Sequence, residues 1–308
     1  MKKLLIILLS ILTLSLLFSA CNNKKTIEDK KPQEVDNTYP LKVMDKFGNE
    51  IILENEPERV ISYSPELVEI MYALGVEDTL IGRSIYCDYP DDTKEIPDMG
   101  DLFNLNIESI VESNPDLILL SSMASEEIVR TLTEQGLKVL VLDADTNVDG
   151  VYEYIDKLGI VFNVQDQAME LTNNMKTDIK QIISKVQGLD QPTAYFVIGF
   201  GEFDSAATGD TFIGQLMEQT GATNAAADGS NWMYSIEQLL DKDPDILICS
   251  KYFGTKAQIS ELEGYKELTA VKEGKLYEVD ENIFFRQGPR TVEAIKVLAQ
   301  IFHPEAFK

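Results

Sequence analysis

Apolar positions along this chain switch repeatedly between two spacings. Short apolar runs occur at Arg59–Tyr63, Leu117–Ser121, Lys138–Leu142, Ala194–Ile198, Ile246–Cys249 and Leu276–Val279, and between them apolar residues recur every three or four positions. The runs predict strands and the intervening segments predict amphipathic helices, which together is α/β order. Leu41 to Glu54 alternates around Phe47-Gly48-Asn49 and predicts a hairpin. Ser64-Pro65 predicts a helix start, as N-cap and first helical residue, with its apolar face at Leu67, Ile70, Met71 and Leu74 and its end at Gly75. Helical spacing then runs from Val148 to Val186, broken only near Gly159 to Gln165. Its second part carries one stripe through Ala168, Leu171, Met175, Ile179, Ile182 and Val186. A helix from Asp166 to Gln187 is roughly 33 Å long at about 1.5 Å per residue, enough to link two lobes as a strut. The last helix is expected from Gly288-Pro289, burying Val292, Ile295, Leu298, Ala299 and Phe302.

One phrase is written twice, 129 positions apart. Ile107 to Leu119 and Ile236 to Ile248 each read as a short helix stopped by Asn-Pro-Asp or Asp-Pro-Asp and released into an apolar run. A second pair, offset by 146, matches Leu67, Ile70, Met71, Leu74 and Gly75 with Ile213, Leu216, Met217, Thr220 and Gly221. The repeat predicts two Rossmann-like α/β lobes with central parallel sheets, joined by one long helix. The expected divisions are a first lobe over 41–147, a helical segment over 148–188 and a second lobe over 189–308. Ligands bind at lobe interfaces and beyond the carboxyl ends of parallel strands, so a cleft between the lobes is the place to look for function.

The N-terminus adds a compartment. Met1-Lys2-Lys3 precedes an apolar run from Leu4 to Phe18 and then Ser19-Ala20-Cys21. A basic start, a run shorter than the roughly 20 residues that span a bilayer, and small residues before the cut predict a signal peptide over 1–20. Cysteine after Ser-Ala predicts lipidation at Cys21, although Phe18 departs from the usual leucine. Residues 21–40 are charged and polar with little to bury, and predict a disordered tether on a membrane anchor. Losing Lys2 and Lys3 takes the formal charge from −25 to −27. That acidity argues against nucleic acid or an anionic lipid surface as a partner. Cys87 and Cys249 fall one in each lobe; Cys249 lies in the apolar run Ile246 to Cys249 and reads as a buried thiol, and a disulfide between the two would lock the cleft.

Catalytic raw material is thin. The one histidine, His303, sits in Phe302-His303-Pro304-Glu305 near the C-terminus and reads as structural. Cys/His metal sites and Ser-His or Cys-His catalysis therefore have no obvious constellation, and neither a catalytic residue nor a resident metal or cofactor is expected. Gly199-Phe200-Gly201 lacks the third glycine of a dinucleotide fingerprint. Aromatic and polar residues instead crowd the predicted strand ends. The expected ligand contacts are Tyr63, Tyr86, Asp88, Phe103, Phe200, Trp232, Tyr252, Phe285 and Arg286. Each aromatic buries on the order of 150–250 Å², which suits a bulky rigid ligand, and Arg286 is expected to make charge-assisted bonds to it.

Taken in order, Cys21, Ser64-Pro65 to Gly75, Tyr86-Cys87-Asp88-Tyr89-Pro90, the two Pro-Asp repeats, Trp232 before Glu237, and Arg286-Gln287-Gly288-Pro289-Arg290 ending in His303-Pro304-Glu305 resemble the class III substrate-binding lipoproteins of bacterial ABC importers. The resemblance spans nearly all of residues 41–308. It implies a monomer with two α/β lobes and one connecting helix, lipid-anchored on the extracytoplasmic face of the cell membrane. Such a protein delivers an iron-siderophore, haem or cobalamin to a permease and is not an enzyme. A ferric siderophore or similar iron chelate is the first reading and cobalamin or haem the second; an exported α/β enzyme is the alternative of another class. The resemblance further implies that one surface glutamate per lobe docks on permease arginines. Glu69 matches the first position, and its place about 150° from the apolar stripe predicts exposure. The second is Gln215 by pseudo-symmetry, so Glu218 on the solvent side of its helix is the better candidate.

Overall fold

The computed structural model describes residues 39–308. The signal peptide, Cys21 and nearly all of the expected tether lie outside the described residues. Tyr39, assigned above to the tether, already belongs to the folded unit: its hydroxyl donates to the Val161 carbonyl oxygen (2.9 Å).

Eleven strands run in chain order as β1 (Leu41–Met44), β2 (Glu50–Leu53), β3 (Val60–Ser62), β4 (Leu80–Arg83), β5 (Leu117–Leu120), β6 (Val139–Val141), β7 (Thr193–Gly199), β8 (Ser205–Ala206), β9 (Thr223–Asn224), β10 (Ile246–Ser250) and β11 (Leu276–Val279). They form two separate α/β sheets besides the antiparallel β1-β2 hairpin. The first lobe has the order β4-β3-β5-β6, all parallel. The second has β9-β7-β10-β11, again parallel, with β8 added antiparallel to β7. Strand for strand, the second order repeats the first.

The phrase seen twice in the sequence has one structural role in both places. Helices Ile107–Glu112 and Ile236–Lys242 end where Asn114 and Asp243 take left-handed backbone (φ 47° and 37°), a conformation Asn and Asp tolerate better than most residues. Pro115 and Pro244 then prevent continuation, and the chain enters β5 or β10. The aspartate after each proline turns back to the first strand of its own sheet. Asp116 accepts the Arg59 N–H (3.1 Å), and Asp245 accepts both the Thr193 N–H (2.8 Å) and its hydroxyl (2.7 Å).

Helix Val148–Val161 and the long helix Gln165–Val186 are separate because the chain turns at Asn163 (φ 54°). They pack closely at Gly159, where an added Cβ would lie 2.5 Å from the Ala168 Cβ. The long helix packs on Pro65–Leu74 and Val148–Val161 from the first lobe and on Thr291–Phe302 from the second. One apolar core therefore runs from Leu67 and Leu119 through Met175 and Ile182 to Phe284 and Leu298. The last helix starts at Thr291, because Gly288 to Arg290 forms a turn instead of its first residues. Ser64 holds the N-cap position of Pro65–Leu74, but its side chain makes no cap bond and lies buried without a partner.

Candidate ligand-binding site

The carboxyl ends of β3 to β6 release the loops at 63–64, 84–106, 121–125 and 142–147. Those of β7, β9, β10 and β11 release 200–204, 225–235, 251–254 and 280–290. The two sets meet across one seam. The strap Phe285 to Arg290, which follows β11, crosses to the first lobe and makes most of the polar contacts there.

Arg286 and Arg290 anchor it. Arg286 donates from Nη1 to Glu69 Oε1 (3.0 Å) and Asp88 Oδ1 (2.7 Å), and from Nη2 to the Tyr86 carbonyl oxygen (3.1 Å). Arg290 holds the same glutamate from two nitrogens, Nε to Oε2 (2.9 Å) and Nη2 to Oε1 (2.6 Å), and its guanidinium lies 4.1 Å from the centroid of the Tyr89 ring. Gln287 donates to the Asp145 carbonyl oxygen (2.8 Å). Burial works against the Arg286 charge, but the hydrogen bonds it donates to Asp88 and Glu69, with their negative charges, together outweigh it and raise its pKa.

Two expectations are corrected here. Glu69 does not face solvent: it is 4 % exposed, because the side of its helix away from the apolar stripe is covered by the strap. Periodicity within one helix cannot show an element that arrives from some 220 residues away. Arg286, expected as an arm for a ligand, is 8 % exposed and donates three bonds to partners of the opposite lobe.

Aromatic residues from both sets of loops flank this cluster. Trp232 stacks on Phe285, with centroids 6.0 Å apart and planes at 29°. Asn231 and Trp232 both take left-handed backbone (φ 53° and 65°). Asp210 accepts the Asn231 N–H (2.8 Å) and the Thr208 hydroxyl, and Thr208 Oγ1 accepts the Trp232 N–H (3.2 Å). Phe253 is also left-handed (φ 58°) and is 90 % exposed. Each such backbone costs on the order of 1–3 kcal/mol, and for a bulky residue it persists where neighbours impose it, characteristically at ligand clamps. Tyr86, Phe103 and Phe203 are exposed as well. Tyr252 is half-buried and donates its hydroxyl to Asp280 (3.0 Å).

Two other expected contacts turn inward. Tyr63 is buried in the first lobe and donates to the Met99 carbonyl oxygen (3.1 Å). Phe200 packs against the second lobe's own core beside Tyr195 and Tyr265. The structure thus brings Tyr86, Asp88, Phe285 and Arg286 to one seam, with Trp232 against Phe285. Tyr89 and Phe253 belong to the aromatic strand ends already noted in the sequence, while the contacts of Arg290 at the seam were not foreseen. Arg290 and Tyr89 lie inside motifs already visible, Arg286 to Arg290 and Tyr86 to Pro90; the Phe253 backbone leaves no sequence signal except the following Gly254.

A further concavity lies elsewhere, among helices Val148–Val161, Gln165–Val186 and Phe212–Gln219. It measures about 810 Å³ and includes Tyr152, Lys176, Lys180, Gln215 and the exposed Glu218. It is a groove between helices and lacks the strand-end aromatics. Cys87 and Cys249 are buried free thiols, each pushed up to about 12 by burial. His303 is buried with its Nε2 3.0 Å from the Gly221 carbonyl oxygen, a structural role.

Comparison with known proteins gives this geometry its context. A family model described as periplasmic binding protein matches residues 60–283. The uncharacterized ABC transporter substrate-binding lipoprotein YvrC of Bacillus subtilis is 30 % identical over the whole of both chains. The cobalamin-binding protein of Halobacterium salinarum is 28 % identical over 86 % of this chain and 75 % of its own. Among solved structures, a possible iron-binding (periplasmic solute-binding) protein from Staphylococcus epidermidis superposes with a TM-score of 0.73 at 28 % identity, covering 81 % of this chain and all of the other. The matched region holds both sheets, the long helix between them and the aromatic strand ends, and this chain belongs to the periplasmic binding protein family, whose members bind solutes and are not enzymes.

Proposed function

We propose that this protein is the capture component of an ABC importer, holding a bulky metal chelate between its lobes and presenting it to a membrane permease. The observation that carries this reading is the aromatic rim, above all the exposed Phe253 and the half-buried Trp232 stacked on Phe285, both on left-handed backbone. Such side chains offer large rigid surface at low entropic cost, which matches a rigid ligand with an apolar body. A ferric siderophore is the first ligand class. Cobalamin is the second, supported by the Halobacterium relative's name, by Asp88-Tyr89-Pro90 and by Trp232. The exported-enzyme alternative finds no support in the family.

Trp232 is the single tryptophan and reports directly. Titration with ferric siderophores, cobalamin and haem is expected to quench it for one class, with Phe253→Ala and Tyr86→Ala each weakening binding about tenfold, or 1.4 kcal/mol. Failure of every ligand to bind would remove the reading.

Delivery is assigned to a lipid anchor at Cys21, supported by the lipoprotein named among the relatives, and to acids facing the permease. Glu218 is exposed and available. Glu69 reaches a permease arginine only by exchanging Arg286 and Arg290 for it. Loss of uptake with intact ligand binding in Glu218→Ala and Glu69→Ala is the expected result.

A further inference from the structure

We propose that the ligand this cleft accepts carries no net negative charge: an uncharged or cationic chelate, not an anionic one. The inference deepens the reading above and rests on it.

It follows from where the positive charges are committed. Arg83, at the end of β4, and Lys94, Lys251, Arg286 and Arg290 are the basic residues of these loops, joined by Lys46 of the β1-β2 turn, which donates to the Ser122 carbonyl oxygen (2.9 Å). Arg83 donates to the Thr93 and Ser84 carbonyl oxygens (2.8 and 2.9 Å). Lys94 pairs with Asp91 (2.7 Å) and Lys251 with Asp280 (2.9 Å). Arg286 and Arg290 are spent on Glu69 and Asp88. Recruiting either one to a ligand would take one of two counter-charges from a nearly inaccessible Glu69 carboxylate, and recruiting both would leave it buried and unpaired, which is strongly unfavourable. The lysine pairs are more exposed and less costly to open, but each frees one carboxylate for every ammonium it offers.

Arg83 and Lys46 bond carbonyl oxygens and keep their charge, but the acids without a basic partner outnumber them. Among the described residues, Asp101, Asp143, Asp145, Glu202 and Asp204 have no lysine or arginine partner, and the whole chain carries a formal −25. An anion approaching these loops is repelled by them, and the ring faces of Tyr86, Phe203 and Phe253 favour a cation over an anion.

The test is isothermal titration calorimetry of the full chain with four probes: cyanocobalamin, a neutral ferric trihydroxamate, a cationic ferric trihydroxamate and a triply anionic ferric tricatecholate. At least one of the first three is expected to bind about 100-fold more tightly than the tricatecholate, near 2.8 kcal/mol. A smaller margin, or tighter binding of the anion, overturns the inference while leaving the capture role standing. Binding of none of the four overturns both.

Discussion

At the scale of single residues, the seam turns on Glu69. A glutamate in the middle of a helix, with Glu66 three positions before it and the apolar stripe of Leu67, Ile70, Met71 and Leu74 on the other side of the wheel, reads locally as a surface acid. Its burial comes from the strap, and its charge is tolerable only because two guanidiniums accompany it. Glu69→Ala is therefore expected to lower stability to urea by about 3 kcal/mol, toward the lower end for a broken buried pair because Arg286 keeps Asp88. A loss within about 0.5 kcal/mol, as for ordinary surface substitutions, would show that the pair is open to water. The two thiols make a second prediction at this scale. Burial pushes Cys87 and Cys249 up to about 12, so neither is a thiolate near neutrality. Maleimide labelling of the folded protein lacking Cys21 is expected only after denaturant is added. Early labelling of either thiol would mean that its lobe opens locally. The inward position of Cys249 was legible, since it sits in an apolar run; that of Cys87, between Tyr86 and Asp88, was not, nor was the fate of Glu69, which depends on a partner from the other lobe.

At the scale of elements, the Pro-Asp unit shows how much a repeat can reveal. Its recurrence gave the helix-to-strand transition in both lobes, and the structure adds what the aspartate does: it ties the start of β5 or β10 to the start of β3 or β7. Asp245 is held below the usual carboxylate range by the Thr193 hydroxyl and then its N–H, and Asp243 likewise by Thr269. Their folded values lie under the unfolded one. Their contribution is thus complete above the ordinary aspartate pKa of about 4 and disappears as pH falls through the lower folded values. Urea midpoints measured from pH 7 down to pH 3 should fall in the acid range, and Asp245→Asn should flatten part of that fall. An equally steep fall in the variant would assign the acid sensitivity to other groups. The hairpin, the α/β order and the long helix were readable because each rests on local periodicity or on a turn residue such as Gly48 (φ 81°). The cap at Ser64 was not, since whether a hydroxyl reaches a backbone N–H depends on a rotamer set by packing. Gly159 offers a further check: Gly159→Ala drives a methyl into Ala168, and the expected cost is roughly 1–3 kcal/mol of overpacking in thermal or urea unfolding.

At the scale of the whole molecule, the lobes are joined in two different ways. The long helix makes an apolar join, continuous with the core of both lobes, and such a rod bends little. The strap makes a polar one, built from Arg286, Gln287 and Arg290 against Glu69, Asp88 and Asp145. The joining helix could be foreseen from its length and stripe, whereas the strap could not, because nothing in the spacing of Arg286 to Arg290 names partners on the opposite lobe. If the helix sets the hinge and the strap holds the lobes at their spacing, removing the strap's charges should change spacing without dissolving either core. The variant Arg286→Ala with Arg290→Ala leaves both guanidinium partners without a counter-charge, so Glu69→Gln is added to spare a buried unpaired carboxylate. The triple variant is expected to unfold cooperatively, as the parent does, yet show a larger radius of gyration by small-angle scattering. The increase should be modest because the helix persists, and a bound ligand should bring the two proteins together. An unchanged radius would leave the helix alone in fixing the distance between the lobes.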